Sequence, residues 1–543
     1  MKKLYISLIF LISLSAYSTE FLDYGTIILG RPTDNSITFN LLAKKYLDFY
    51  IEYGTSSGKY DFKTANFSSK YPDPVESKIN NLNTNQRYYY RIQFRENSNQ
   101  SYLSSSEYFF QTQRAKGSKF TFTIEADPHL YDKKGSSGLM KINMQNQAQD
   151  SADFMLDLGD TFGDDHNPTT ITDAQLQQLH VNTLQFFGIL CNSSPLFLCL
   201  GNHEGESGYY LLQTPPNNLA VYATKWRQKY YPNPIPDGFY TGNDEEEPYG
   251  IGKPQNYYAF EWGDALFVIM DVYRYYTANE KPTGWDWTIG KKQYDWFKTT
   301  LESSKSKYKF VFAHHTLGQG RGAATTVMLS EWGGWKDTKK SKYEFDIQRP
   351  GWGKPIHQLM VDNKVNVFFQ GHDHLFAKEI VDGMVYQEVP IPCDSTYEIG
   401  MLANADAYTG LNLDGAGYMR VTVSTEEAKV EYIKSYLPKD ETDSLKNRML
   451  GNSYSVKSTI SDVQIEENNN FVIYPNPADD YIYLSSSEKF IDNIQIFDAM
   501  GICIIDNITM SSNFGNFKFD ISKLPIGIYF IKIGNKFEKF VKI

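Results

Sequence analysis

Five apolar runs in the chain, residues 120–126, 154–158, 196–200, 310–313 and 365–369, each end on a short polar stretch. Runs this short, rich in Val, Ile, Leu and Phe and closed by Gly or polar residues, predict strands buried on both faces. The polar stretches are Asp127-Pro128-His129, Gly159-Asp160, Gly201-Asn202-His203-Glu204, His314-His315 and Gly371-His372-Asp373-His374. Residues 138–150, 172–189, 290–303 and 353–362 carry a helical period, and strand–helix alternation predicts a layered α/β domain. In such sheets ligands bind beyond the carboxyl ends of the strands. The pattern therefore brings two aspartates, one asparagine and up to six histidines to one rim, in a chain with nine histidines. Packing alone does not account for that concentration. His166, His180 and His357, outside the motifs, take the ordinary reading of core or surface residues.

The flanks follow a different period. Alternating segments at 36–41, 47–53, 88–94 and 107–112, with no helical stretch among them, predict a small antiparallel β-sandwich over residues 19–115, serving as a spacer or a lid support. The central domain then spans 116–438. Hairpins at 257–271, 378–389 and 417–434 give its sheet antiparallel edges. Residues 205–255 form an insertion rich in Tyr, Pro and Gly, and loops of that length are usually functional. Its acidic run, Asp244-Glu245-Glu246-Glu247, reads as a solvated face. Polar residues 439–470 read as a linker, and 471–543 as a last β-rich unit.

Composition narrows the function. The 543 residues exceed one core, and 41% hydrophobic with 15% aromatic residues indicates globular domains. A net charge of -11 argues against a nucleic-acid backbone as the partner. Four cysteines make no disulfide framework; Cys191 and Cys199 read as buried thiols, with a disulfide between them as the alternative. Residues 1–18 have the form of a secretory signal peptide: Lys2 and Lys3, an apolar stretch from Leu4 to Leu14, then Ala16-Tyr17-Ser18. That stretch is too short to span a bilayer, and no other transmembrane segment is expected.

Imidazole nitrogens and carboxylate oxygens are ligands for hard or borderline divalent and trivalent ions. Ligands alternate in Asp127-Pro128-His129, so one strand exit can aim both at one ion. They alternate again in His372-Asp373-His374, so each histidine can serve a different ion. Gly159 permits a tight exit into Asp160, whose two oxygens can bridge two ions. Asn202 adds a neutral oxygen. The pattern predicts a two-metal site. Two carboxylates and a bridging hydroxide bring about three negative charges against about four or five from the ions, so the centre stays electropositive and suits an anionic substrate. Two ions about 3.5–4 Å apart lower the pKa of a shared water and clamp a phosphoryl oxygen. His203, beside a ligand, is placed to protonate a leaving oxygen or to stabilise charge on the phosphoryl group.

The ordered set resembles the calcineurin-like metallophosphoesterase superfamily, whose pattern is Asp-x-His, Gly-Asp, Gly-Asn-His-Asp/Glu, a later His and Gly-His-x-His. Residues 120–376 carry all five. The resemblance implies a four-layer α/β/β/α sandwich with a dinuclear centre of Fe, Zn or Mn. By it, Asp127, His129, Asp160 and His374 hold one ion, and Asp160, Asn202, His314 and His372 hold the other. It implies hydrolysis of phosphate esters by a metal-bound hydroxide, with Asp160 at the bridge and His203 as the catalytic histidine. His314, which ends its strand, is taken as the ligand; His315 then supports it or contacts substrate.

Two further resemblances extend to the flanks. Leu82 followed by Tyr88-Tyr89-Tyr90-Arg91 is similar to a strand of fibronectin type III domains, in which a tyrosine makes a corner with upstream backbone. A β-sandwich ahead of such a domain is similar to the purple acid phosphatases. Those enzymes carry a tyrosine three residues after the bridging aspartate, where this chain has Gly163, and lack the histidine that this chain has as His129. A tyrosinate-bound ferric centre and its purple colour are therefore not expected. At the other end, Tyr474-Pro475-Asn476-Pro477, Ile496-Phe497-Asp498-Ala499-Met500-Gly501, Leu524-Pro525-Ile526-Gly527-Ile528-Tyr529 and residues 539–543 resemble the C-terminal sorting domain of type IX secretion. That implies passage through the periplasm and export by that machinery to the medium or the cell surface, with the tail removed afterwards.

Residues 316–352 must start beside the metals. Arg321 offers a planar fork to a phosphate, while Trp332, Trp335 and Trp352 either stack on a base or sugar or pack the loop. The expected function is a secreted metal-dependent phosphoesterase acting on small phosphate esters. Alternatives are a phosphodiesterase or nucleotide-directed hydrolase on the same site, and a non-catalytic surface binding protein on a phosphatase scaffold.

Overall fold

The computed structural model describes residues 21–543 except 70, 132–134, 214–217, 278, 317–320, 400–403, 459–471, 486–489, 500–501, 512–515 and 534–535. It divides into two compact units, Met1–Ile460 and Ser461–Ile543. The expected signal peptide lies outside the described residues.

The N-terminal region of the first unit is all β apart from one 3₁₀ turn. The strands Gly25–Gly30, Ile37–Ala43 and Val75–Ile79 make one antiparallel sheet, and a second is built on Asp48–Gly54 and Arg87–Arg95. Alternation decides what each face covers. Ile27, Leu29 and Leu41 point into a core shared with Phe49, Ile92 and Phe94 of the second sheet. Ile28 and Leu42 join the core around Leu184 and Phe187 of the helix Asp173–Leu190. The first two strands of the first sheet are thus buried on both faces, and both sheets are bonded to the central domain: the Leu29 N–H donates to Cys191 O at 2.9 Å, and Tyr90 Oη of the second sheet donates to Asn192 O at 2.6 Å. The region is docked along its length, more than a spacer would be.

Two sheets organise the central domain. One runs in the order Leu196–Leu198, Phe154–Asp157, Phe120–Glu125, Ala416–Val423, Glu427–Ser435, Leu450–Lys457. The other has eight strands, with Ala265–Ile269, Tyr308–Phe312, Val367–Gln370 and Met384–Glu388 parallel at its centre. In both, alternate residues face alternate cores. Phe122, Phe154, Phe267, Phe310, Phe312 and Phe369 meet between the sheets. Leu266, Val268, Val311 and Phe368 pack outward with Tyr294, Phe297 and Leu301 of the helix Lys291–Ser303. Met155, Leu196 and Leu198 pack outward the other way, with Leu139, Met140 and Met144 of the helix Ser137–Gln149. Phe122 lies 5.5 Å from Phe154 and 5.0 Å from Phe267, ring to ring. Truncating a ring held this way, as in Phe267→Ala, costs about 3–5 kcal/mol.

The insertion after residue 205 is anchored by buried charge. Arg227 Nη2 donates to Glu206 Oε2 at 2.9 Å and to Pro254 O at 2.7 Å, and Arg274 pairs with Glu247. The acidic run is therefore divided: Asp244 and Glu245 face Lys292 at the surface, as a solvated face would, while Glu247 closes a buried pair. Leu450–Lys457, inside the stretch expected to be linker, is a strand paired antiparallel with Glu427–Ser435. Its residues run between half-buried and exposed, because it forms the sheet edge, with Tyr454 and Val456 packed on the core between the sheets. Among the described residues no disulfide forms, and Cys191 and Cys199 are buried thiols.

The second unit has a three-stranded and a four-stranded antiparallel sheet. Ile482, Ile494, Ile496, Ile531 and Phe540 share its core.

Candidate metal centre

The five strand exits converge through their backbones. The Asp127 N–H donates to Gly159 O at 3.0 Å, and the Gly371 N–H donates to His314 O at 2.9 Å. The His372 N–H donates to Asp127 Oδ2 at 2.8 Å. The turns are sharp enough to force rare backbone. Asp127, His129, Asp160, His372 and His374 have φ of 59, 44, 58, 81 and 65°. Non-glycine residues in this region carry strain that persists where the surroundings over-determine it, typically at functional sites. Gly371 is needed at its position, since a Cβ there would sit 2.4 Å from Asp127 Oδ2.

Two donor sets result. Asp127, His129 and His374 offer ligand atoms that all lie within 4.8 Å of one another, and so do Asp160, His314 and His372. The sets adjoin. His314 Nε2 is 3.3 Å from Asp160 Oδ2 and 3.7 Å from Asp127 Oδ1, and His129 Nε2 is 3.6 Å from Asp160 Oδ2. Asn202 Oδ1 lies 2.9 Å from His372 Nδ1. Donors each about 2.1 Å from one ion sit roughly 3–3.5 Å apart, close to these spacings of 2.9–3.7 Å. Asp127 Oδ1 is buried with no well-aligned hydrogen-bond donor on it. An all-oxygen and nitrogen set of this kind suits divalent or trivalent ions.

The electrostatics also call for positive charge. Burial opposes ionisation of Asp127 and Asp160, yet the surrounding imidazoles, His314 foremost, hold both below the usual carboxylate range. Burial alone would depress His314, but the Asp160 and Asp127 charges raise it to about 10. Burial and the charge of His314 push His372 down to about 3, leaving the neutral form that ligates.

His203 stands at the mouth. Its backbone N–H donates to Asp160 Oδ1 at 2.9 Å, and its Nδ1 is 2.8 Å from Asp165 Oδ1, which turns Nε2 toward a cleft of about 470 Å³. His203, Asn202 and His372 form the metal-side wall of the cleft; Tyr210, Tyr276 and Trp287 add aromatic surface, Glu280, Lys281 and Arg321 add charge. Arg321 Nη1 donates to Asp373 Oδ1 at 2.7 Å, which fixes it beside the metal loop.

Some residues have other places than expected. His315, expected to support His314 or to contact substrate, is wholly buried, as His314 is, with its ring 4.8 Å from that of His372. Trp332 packs on Phe368 and Trp352 on Tyr294, in the outer core, so both pack the loop instead of facing the cleft. Trp335 lies against Tyr343. His166 is on the cleft wall, whereas His180 and His357 are buried and hydrogen-bonded, as their default reading has it.

Two further residues support the site: Asp165, which no sequence motif marks, and Glu204, the last residue of the Gly201–Glu204 motif. Asp165 orients His203, and Glu204 clamps two motifs together. Glu204 Oε2 accepts the Asp160 N–H at 3.0 Å and the Gly201 N–H, and Oε1 accepts the Thr161 N–H at 2.6 Å. Burial and the nearby Asp160 charge push Glu204 up to about 7, against these donors.

Residues 120–376 match the calcineurin-like phosphoesterase family, and residues 472–543 match the secretion system C-terminal sorting domain. No curated protein sequence matches the chain. Among solved structures, the fold is similar to that of PhoD, with a TM-score of 0.58 and 16% identity over 81% of this chain and 91% of that one. It is also similar to a purple acid phosphatase from yellow lupin (Lupinus luteus) seeds, with a TM-score of 0.51 and 15% identity over 79% of this chain and 74% of that one. At such identities the likeness is one of fold. Among the described residues no helix is long and apolar enough to cross a membrane.

Proposed function

We propose that this chain, a metal-dependent phosphoester hydrolase whose residues 120–376 are a calcineurin-like phosphoesterase domain, works through two ions on small phosphate esters outside the cytoplasm. The carrying observation is the pair of adjoining donor sets, Asp127, His129, His374 and Asp160, His314, His372. Asp160 would bridge the two ions, Asn202 would complete the second set, and Fe, Zn or Mn would suit the donors. Bound there, two ions polarise a phosphoryl oxygen and lower the pKa of a water between them.

The chain supplies the rest. The His372 N–H fixes the Asp127 carboxylate, and Glu204 fixes the peptide of Asp160. Asp165 holds His203 so that its Nε2, 3.9 Å from Asp160 Oδ2, meets the leaving oxygen and donates a proton to it. Arg321 adds a guanidinium to the phosphate side of the cleft. His315 backs His372.

The finer architectural readings have support of their own. A four-layer α/β/β/α domain agrees with the three cores that alternate across its two sheets. A fibronectin III-like N-terminal domain agrees with Tyr88 Oη accepting the Asn83 N–H at 2.9 Å, the bond of a tyrosine corner. The sorting tail agrees with type IX export to the surface or the medium.

The test is hydrolysis of 4-nitrophenyl phosphate and bis(4-nitrophenyl) phosphate by chelator-stripped protein, with and without added manganese, zinc or iron. Metal-restored turnover of at least one ester is expected. No turnover with any metal would favour the binding-protein alternative.

A further inference from the structure

The residues around Tyr131 form a second pocket, of about 350 Å³, beside the metal cleft. Its wall includes Tyr131, His166, Asn167, Thr170, Gln175 and Gln178 and, among the described residues, no Asp, Glu, Lys or Arg. The metal cleft differs sharply, with Asp165, Glu280, Lys281 and Arg321 on its walls. His166 lines both, so the two spaces adjoin. Their size is that of the smaller ligand sites, which begin at about 300 Å³.

The orientation relative to the chemistry is fixed by Tyr131. Its ring lies 6.1 Å from that of His203 and 6.1 Å from that of His166. Its Oη is 2.8 Å from His129 Nδ1. Tyr131 therefore stands between His203 and the pocket. Gly163 makes this possible: it has a φ of 72°, and a Cβ there would strike the Tyr131 ring at 2.3 Å. A residue with a side chain at 163 would displace the ring and close the pocket.

From these positions we infer that the pocket is a subsite for the alcohol part of the ester, and that it takes an uncharged polyhydroxylated ring, a sugar. The inference rests on the phosphoesterase reading. In that reading His203 protonates the leaving oxygen, and Tyr131, whose ring is 6.1 Å from that of His203, lines the pocket. Tyr131, Ile171 and Leu179 give the wall apolar surface, and Asn167, Thr170, Gln175 and Gln178 give it amides and a hydroxyl, which match a ring with apolar faces and a hydroxyl rim.

The test uses full-length, metal-loaded protein and three probes. Phosphate release from glucose 6-phosphate and from ethyl phosphate gives a kcat/KM ratio. Saturation-transfer NMR with methyl α-glucoside reads binding without turnover. The wild type is expected to prefer glucose 6-phosphate by about tenfold or more, the equivalent of one or two hydrogen bonds, and to bind the glucoside. Asn167→Trp, which fills the pocket, is expected to bring the ratio close to one and abolish glucoside binding; Gln178→Ala is expected to lower the ratio in part. A wild-type ratio near one, or a preference that survives both variants, overturns the subsite. Glucoside binding that Asn167→Trp removes, with no ester hydrolysed, supports the subsite and refutes the phosphoesterase reading instead.

Discussion

Glu204→Gln isolates a residue that touches no ligand atom yet holds two motifs in register. Each carboxylate oxygen has its own donors, Asp160 and Gly201 on Oε2 and Thr161 on Oε1, with a longer 3.4 Å approach of the Phe162 N–H to Oε1. The amide retains one acceptor oxygen. If it keeps the Oε2 position, the Thr161 N–H loses its bond and faces an NH₂ group; if it keeps the Oε1 position, two N–H groups do. The first is the cheaper arrangement. A charge-assisted bond is worth about 1.5–3 kcal/mol, and a buried unpaired N–H costs about 1–3 kcal/mol. Because the two overlap, the expected loss is about 2–4 kcal/mol. It falls on the peptides that carry Asp160 and lead into Asn202, so metal affinity is expected to drop about 10–100-fold, as when a partner of a ligand is removed. Competition with a chromogenic chelator measures the affinity, and thermal melting of the metal-free protein measures the stability. Unchanged affinity together with an unchanged melting temperature would refute the clamp. A fall in stability with affinity intact would show that Glu204 serves the fold and not the centre.

Other outcomes follow from the same geometry. His203→Ala is expected to lower kcat about 10²–10⁴-fold with metal content intact, and to matter less for a nitrophenyl ester than for an alkyl ester; equal losses on both would contradict proton donation. Asp165→Asn should act in the same direction, more weakly. Glu206→Gln leaves the buried Arg227 and Arg274 short of a partner and is expected to cost about 3–5 kcal/mol, seen as a lower melting temperature. Burial opposes Glu206 ionisation, but Arg227 outweighs it and holds the carboxyl below its ordinary 4.5. Its contribution is therefore full above that pH and lost on acidification below it, so the gap between wild type and variant should close in acid; a gap that widens would contradict the pairing. A chain ending at residue 460 is expected to hydrolyse esters normally when made without export and to stay in the periplasm of the native host, and normal release of that chain would contradict the sorting role.

The ligand residues were legible because metal chemistry restricts their types and the sheet restricts where they stand. Histidines and carboxylates gathered at five strand exits would be costly to bury without a cation between them, and the alternation of Phe154, Met155 and Leu156 across two cores is a period-two signal. The supports were not legible. Glu204 stands in the third motif, but its contact with the Gly159–Asp160 turn arises only on folding, and Tyr131 and Gly163 are 32 positions apart in the sequence, with nothing local to join them. The Leu450–Lys457 strand was missed because an edge strand need not alternate in polarity.

The most direct test of the two-ion centre is the number of metal ions bound per chain after equilibrium dialysis, measured by elemental analysis on the wild type and on Asp160→Asn. The account predicts two ions on the wild type. It predicts at most one on the variant, since a carboxamide bridges poorly. A wild type that binds fewer than two, or an Asp160→Asn chain that still binds two, would contradict it.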